Sequence, residues 1–297
     1  MDRRHFLAGG IALASGAAAA VPALTSRICL FTDHLAGFSY EEVARMLKQL
    51  GVAGPDLTVR RGGLVSPDKV TEELPKAMTA FRDQGLTIPM ITTNILSASE
   101  PQTRPILSTA AKLGIGYYKL GYYKYKDLSQ WKETMDATHR ELIGLAALNR
   151  ELNMRAGIHN HAGDSVGCAI WDAWEVLQSV DPGRVGFYFD PAQAHIEGGK
   201  TGWNLGFRRA TPRLFMLAMK DYVWEKSDKG WRTRWVPLGQ GMVSWPAVSE
   251  LLRSTQFPGP ISLHIEYDPG GATKTERYDR SLAAAERDLK FLRTQLS

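Results

Sequence analysis

The sequence predicts an α/β protein folded as one closed (β/α)8 TIM barrel, and three observations carry that expectation. From residue 27 onward, short β-rich runs alternate eight times with amphipathic helical stretches, without a long linker. Such alternation implies a parallel sheet, and eight units is the number that closes on itself. Four of the runs end in polar clusters, at His159-Asn160-His161, Asp190, Lys220-Asp221 and His264-Ile265-Glu266, and barrel enzymes gather reactive side chains at the C-terminal ends of their strands. The first run leads into Thr32-Asp33-His34-Leu35-Ala36-Gly37 rather than a glycine-rich phosphate loop, which counts against an open dinucleotide-binding sheet.

In order, the apolar and β-branched runs place strands at 28–31, 56–60, 87–92, 117–120, 155–159, 185–190, 214–221 and 261–266. Helical periodicity between them places helices at 39–50, 66–84, 102–113, 128–153, 170–180, 204–210, 245–255 and 277–296. Two connections are long, 191–203 and the tryptophan-bearing stretch 221–241 with Trp224, Trp231 and Trp235. Loops of that length are often functional, and indole faces stack on sugar rings or cover a barrel top.

The first 23 residues form a segment of their own. Asp2-Arg3-Arg4-His5-Phe6-Leu7 runs into a small, weakly apolar stretch from Ala8 to Ala20, the pattern of a twin-arginine export signal. The expected division is a signal at 1–23 and a barrel at 24–297, with a periplasmic or other extracytoplasmic address. Composition, 44% hydrophobic and 23% charged, suits a globular protein with a large core. A net charge of +5 is too mild for a nucleic-acid footprint. Cys29 and Cys168 have no metal-ligand spacing and read as two unpaired small residues, although an oxidising compartment permits a bridge.

Strand alternation picks out the inward-facing residues, because positions two apart share a face. Gly157 and His159 fall together with His161 just beyond; so do Gly186, Tyr188 and Asp190; Met216, Ala218 and Lys220; Ser262, His264 and Glu266. The last member of each series is polar. Lys220 is a candidate general acid/base or oxygen-steering ammonium, or else one half of a pair with Asp221. Arg60 and Lys119, at the ends of the second and fourth strands, are candidates to hold hydroxyls or a carboxylate.

These strand ends make the chain similar to the xylose-isomerase-like barrel superfamily of sugar isomerases and epimerases, which also has an apurinic endonuclease branch. Asp56-Leu57-Thr58-Val59-Arg60, Ile196-Glu197-Gly198-Gly199, the run from Pro237 to Val243 and His264-Ile265-Glu266-Tyr267 resemble its sugar phosphate isomerase/epimerase subgroup. The resemblance implies a divalent metal held by Glu, Asp, His and Glu at the ends of strands five to eight. Asp190 and Glu266 match two of those ligands. His159 stands where the first Glu is expected, Gln193 and His195 replace an Asp-X-X-His pattern, and Ala218 replaces the strand-seven His. The expectation is therefore Asp190 and Glu266 as ligands to Mn, Zn, Co or Mg, with His159, His161, His195 and His264 competing for the other positions.

Two functions follow. The first is an exported, metal-dependent enzyme that takes a proton from the carbon beside a carbonyl of a sugar or keto-glycoside. Lys220, His159 and Glu266 would be catalytic, with Arg60, Lys119, Gln193, Trp224 and His264 binding substrate. Its enediolate leads to an isomer or epimer on reprotonation, or to a lyase product on β-elimination. The second is a non-catalytic carbohydrate-binding barrel whose metal site has degenerated. A nuclease ranks below both, because export removes its substrate.

Overall fold

A computed structural model describes residues 23–255 and 257–297; the export reading lies outside them. Among these residues eight parallel strands close in the order β1, β10, β7, β6, β5, β4, β3, β2. They are β1 (Ile28–Phe31), β2 (Pro55–Thr58), β3 (Met90–Thr92), β4 (Tyr117–Lys119), β5 (Arg155–His159), β6 (Val185–Phe189), β7 (Leu214–Met219) and β10 (Ile261–Leu263). Helices α1 (Tyr40–Leu50), α2 (Val70–Asp83), α3 (Thr103–Lys112), α4 (Trp131–Leu152), α5 (Ile170–Val176), α6 (Pro191–Ala210), α7 (Trp245–Ser254) and α8 (Lys274–Leu296) surround them. The barrel is the expected fold. No helix among the described residues is long and apolar enough to cross a membrane.

Alternation divides the core in two. Ile28, Leu30, Leu57, Ile91, Ala156, Ile158, Phe187, Phe189, Leu217 and Leu263 face outward and pack with helix residues such as Val43, Met46 and Leu47. Cys29, Met90, Tyr188, Met216 and Ala218 fill the lumen. Gly157 is required there: a Cβ would meet Met216 Cε at 2.2 Å and Tyr188 Cβ at 2.8 Å, so any larger residue would overpack the interior. Cys29 and Cys168 are both free thiols.

The two long connections are not loops. The segment expected to be loop from 191 begins α6, because Asp190 caps it by accepting the Gln193 N–H at 3.0 Å and Pro191 suits the first helical position. The helix kinks at Gly199, whose φ of 55° belongs to the region that favours glycine. The expected strand 214–221 ends at Met219, and Asp221 opens an antiparallel hairpin, β8 (Asp221–Ser227) with β9 (Gly230–Val236). The last helix starts three residues earlier than expected because Thr273 and Glu276 form a capping box.

Asp221 turns away from Lys220 and is not its partner. Its carboxylate accepts from the N–H groups of Tyr222, Gly239, Gly241 and Val243 and from the Trp245 indole. The segment between the hairpin and α7 is wrapped around this one buried side chain.

Candidate active site

At the C-terminal rim Phe31, Asp33, Arg60, Thr92, Lys119, Tyr122, His159, His161, Tyr188, Lys220, His264 and Glu266 enclose a cavity of about 210 Å³. Ligand pockets commonly measure about 300–1,000 Å³, so this one suits a monosaccharide-sized molecule or smaller. Its floor is polar. Asp56, fully buried at the barrel centre, accepts from Thr92 Oγ1 at 2.8 Å, Ser262 Oγ at 2.8 Å and the Tyr188 hydroxyl at 3.0 Å. Tyr188 in turn lies 2.7 Å from His264 Nε2, and His264 stacks on Phe31 at 4.2 Å.

Lys220 stands at the centre of the wall. Its Nζ lies 3.2 Å from Asp190 Oδ2 and 3.2 Å from Glu266 Oε1, and it sits 4.5 Å from the centroid of Trp235 on the hairpin. Burial alone would favour the neutral amine, but the two carboxylates outweigh it and hold the group well above the ordinary lysine range. The same ammonium, with His159, overcomes the burial of Asp190 and brings its pKa to about 2. Glu266 is likewise held below the ordinary carboxylate range, against burial, by Lys220 and by His264 Nδ1 at 3.1 Å.

The histidines differ in what they leave open. His159 is saturated, its Nε2–H directed at Asp190 Oδ2 (3.2 Å) and its Nδ1 accepting from the Tyr122 hydroxyl (3.0 Å). Burial lowers its pKa to about 3. His161 directs Nδ1–H at the Ala162 carbonyl (2.8 Å), and among the described residues nothing engages its Nε2 lone pair at the cavity. Burial, then Lys220, lowers its pKa below the usual value. A neutral imidazole with one free nitrogen is a competent general base.

The sequence-predicted residues separate into groups. Arg60, Lys119, His159, His161, Lys220, His264 and Glu266 line the cavity, and Asp190 lies directly behind Lys220. His195 does not join them: its Nδ1–H is directed at the Pro191 carbonyl (2.7 Å), its Nε2 accepts from Ser244 N–H (3.1 Å), and it stacks on Trp203. Gln193 is behind the rim, where its Oε1 accepts from Ala162 N–H at 3.0 Å and positions the His161 turn. Trp224, 40% exposed on β8, is outside the cavity; Trp235 is the hairpin indole beside Lys220. Asp33, Thr92, Tyr122 and Tyr188 were not predicted as site residues. Asp56 and Tyr188 carried a readable signal, a polar residue in the inward phase of a strand; Tyr122, in a loop, had none.

The metal expectation meets a different donor set. Among the described residues no group of three or more His, Cys, Asp or Glu side chains is placed to hold a metal ion. The position between Asp190 and Glu266 is filled by the Lys220 ammonium, and both His159 nitrogens are engaged. The residues do not fit a divalent ion, because one internal cation already balances the two carboxylates.

The neutral His159 makes stability pH-dependent. Its pKa of about 3 in the fold lies below an unfolded value of about 6.5, so the unfolded chain takes up the proton first as pH falls. The contribution is full above about pH 6.5 and is lost progressively toward about 3, at most about 2 kcal/mol by pH 5. His34, also brought down by burial, to about 4, acts in the same direction. Melting temperatures at neutral pH and at about pH 5 should show the drop, and His159→Gln should flatten it. An unchanged slope in that variant would discount His159 as its source.

Residues 44–295 match the xylose isomerase-like TIM barrel family. No curated protein sequence matches the chain. Among solved structures, the probable 3-DHS dehydratase of petrobactin synthesis from Bacillus anthracis superposes with a TM-score of 0.66 at 15% identity, over 90% of this chain and 98% of that one. The 3-keto-D-glucoside 4-epimerase of E. coli gives 0.65 at 12% identity, over 88% and 98%. A xylose isomerase-like barrel from Mycobacterium smegmatis, in complex with magnesium, gives 0.66 at 14% identity, over 92% and 97%. At these identities the likeness is one of fold.

Proposed function

Because this chain belongs to the xylose isomerase-like TIM barrel family, we propose that it is an exported enzyme moving a proton on the carbon beside a carbonyl of a sugar or keto-glycoside. One observation carries the reading: an ammonium fixed between two carboxylates shares a small polar cavity with a histidine that has a free ring nitrogen. An ammonium has three N–H donors, and Asp190 and Glu266 engage two. The third is available to a substrate oxygen, where it favours the negative charge that develops as the α-proton leaves. His161 Nε2 takes that proton.

Return of the proton on either face gives an isomer or epimer, and loss of a β-substituent gives an elimination product. The neighbouring folds named above include an epimerase of a keto-glucoside and a dehydratase, which supports that range. Lys220 supplies the positive charge here, so the reaction as proposed uses no divalent ion. Arg60 and the Phe31 ring are placed to hold a hydroxyl and a ring face, while both His264 nitrogens are engaged by Tyr188 and Glu266. The Arg3-Arg4 leader supports an extracytoplasmic site of action.

Incubating keto-sugars and 3-keto-glycosides with the protein in D₂O should place deuterium at the carbon beside the carbonyl or yield an enone. His161→Gln should slow this by about 10²–10⁴-fold. Sugar affinity without exchange across such a panel would instead make the protein a carbohydrate-binding barrel.

A further inference from the structure

The cavity contains two lysines in opposite surroundings. Lys220 is ion-paired on both sides. Lys119, the last residue of β4, is equally buried at 2% exposure, yet among the described residues its Nζ has no hydrogen-bond or ion-pair partner. Its neighbour is the face of Tyr122, 3.7 Å from Nζ to the ring centroid. A buried ammonium without an acceptor is costly, and a lysine is kept neutral near pH 7 by burial and neighbouring cations. Burial first, then Arg60 and more weakly Lys220, lower its pKa against the pull of Asp56, to about 7. Pairs of like groups driven apart by their environments mark distinct chemical tasks.

We propose that Lys119 is a nucleophile that condenses with the substrate carbonyl to form an imine, an inference that rests on the carbonyl-binding reading of this cavity. The Lys119 Nζ lone pair attacks the carbonyl carbon while the C=O π pair moves to oxygen. Proton transfer from nitrogen to that oxygen gives a carbinolamine. Its hydroxyl leaves as water with one proton from solvent, and the nitrogen lone pair completes a protonated C=N bond. The sum is amine, carbonyl and one proton going to protonated imine and water, with no oxidation or reduction. The protonated imine withdraws electrons from the neighbouring C–H bond, so the proton facing His161 is removed more readily than from the free ketone. In this route the electron pair released with the α-proton moves onto the imine nitrogen. Lys220 therefore keeps its charge throughout, donating to the carbonyl oxygen until it leaves as water and then to an adjacent oxygen, a role its two carboxylates suit and Lys119's surroundings do not.

The test is reductive trapping. The chain is treated at about pH 7 with dihydroxyacetone, a short hydroxy-ketone that the cavity admits, and sodium cyanoborohydride, and adducts are located by peptide mass spectrometry. A lysine titrating near 7 has on the order of 10³ more free amine there than one at about 10.4. Lys119 should therefore be labelled on the order of 10²-fold faster than exposed Lys76 and Lys132, with its labelling half-developed near pH 7. In Lys119→Arg the cavity adduct should vanish while the surface lysines label as before. Labelling at Lys119 no faster than at those surface lysines overturns the proposal. Deuterium exchange without an adduct overturns the imine and leaves the proton-transfer reading intact. An adduct at Lys119 without exchange supports imine formation while removing that reading.

Discussion

Lys220→Met should abolish most activity and lower stability together. Methionine keeps most of the length of the side chain and deletes the charge, so the oxygen that develops negative character loses its donor and turnover should fall by about 10²–10³-fold. The same change leaves Asp190, fully buried, facing Glu266 with no cation between them. Removing one partner of a buried ion pair typically costs about 3–5 kcal/mol. Added Mn²⁺ should raise the melting temperature of the variant, whose two carboxylates are then unbalanced, and should leave the parent chain unchanged. A variant with normal turnover and an unchanged melting temperature would show that the ammonium bridge has no role.

The second large effect is expected away from the cavity. Asp221→Ala removes the acceptor for the N–H groups of Tyr222, Gly239, Gly241 and Val243 and for the Trp245 indole. Hydrogen bonds to a charged group contribute about 1.5–3 kcal/mol each, and orphaned buried donors add their own desolvation cost. Even with partial rescue by water, a loss of about 4 kcal/mol or more is expected, read as the denaturation midpoint. Asp221→Asn should be nearly as damaging, since its amide turns a donor toward N–H groups wherever an oxygen is lost. Denaturation of either variant at the parental midpoint would remove Asp221 as the organiser of this segment.

Much of this was readable in advance because strand alternation is a strict two-residue period. Reading residues 155–159, 185–190 and 261–266 as strands puts His159, Asp190 and Glu266 on the lumen side; the strands end earlier, at Phe189 and Leu263, yet His159 and Glu266 line the cavity and Asp190 lies behind Lys220. The period also put Lys220 in the inward phase, and Lys119 was named only from its place in the fourth strand; neither reading said that one would be paired and the other not. That distinction depends on which loops cross the rim, and loop geometry has no comparable repeat. Tyr122 and the open nitrogen of His161 depend on the turns after β4 and β5. The metal expectation met a donor set the sequence did not disclose: Lys220, assigned to catalysis from the sequence, reaches back between the two carboxylates that were to be ligands. His195 was separated from the rim because Asp190-Pro191 starts a helix, which turns residue 195 toward Ser244 and Trp203.

The carboxylate of Asp56 has a bearing on how the chain can assemble. It sits on β2 and is held by Thr92 on β3, Tyr188 on β6 and Ser262 on β10. Of the three strands that hold it only β3 is its sequence neighbour: β2 and β3 belong to the first half-barrel, β6 and β10 to the second. A fragment ending after β4 would retain the threonine donor and lose the tyrosine and serine donors, leaving the acidic group at a largely unpartnered seam. Two-half architectures can fold as separable pieces when each piece satisfies itself. This one does not, so closure of the ring and satisfaction of its central acid are a single cooperative event, and bisected chains should associate rather than fold alone.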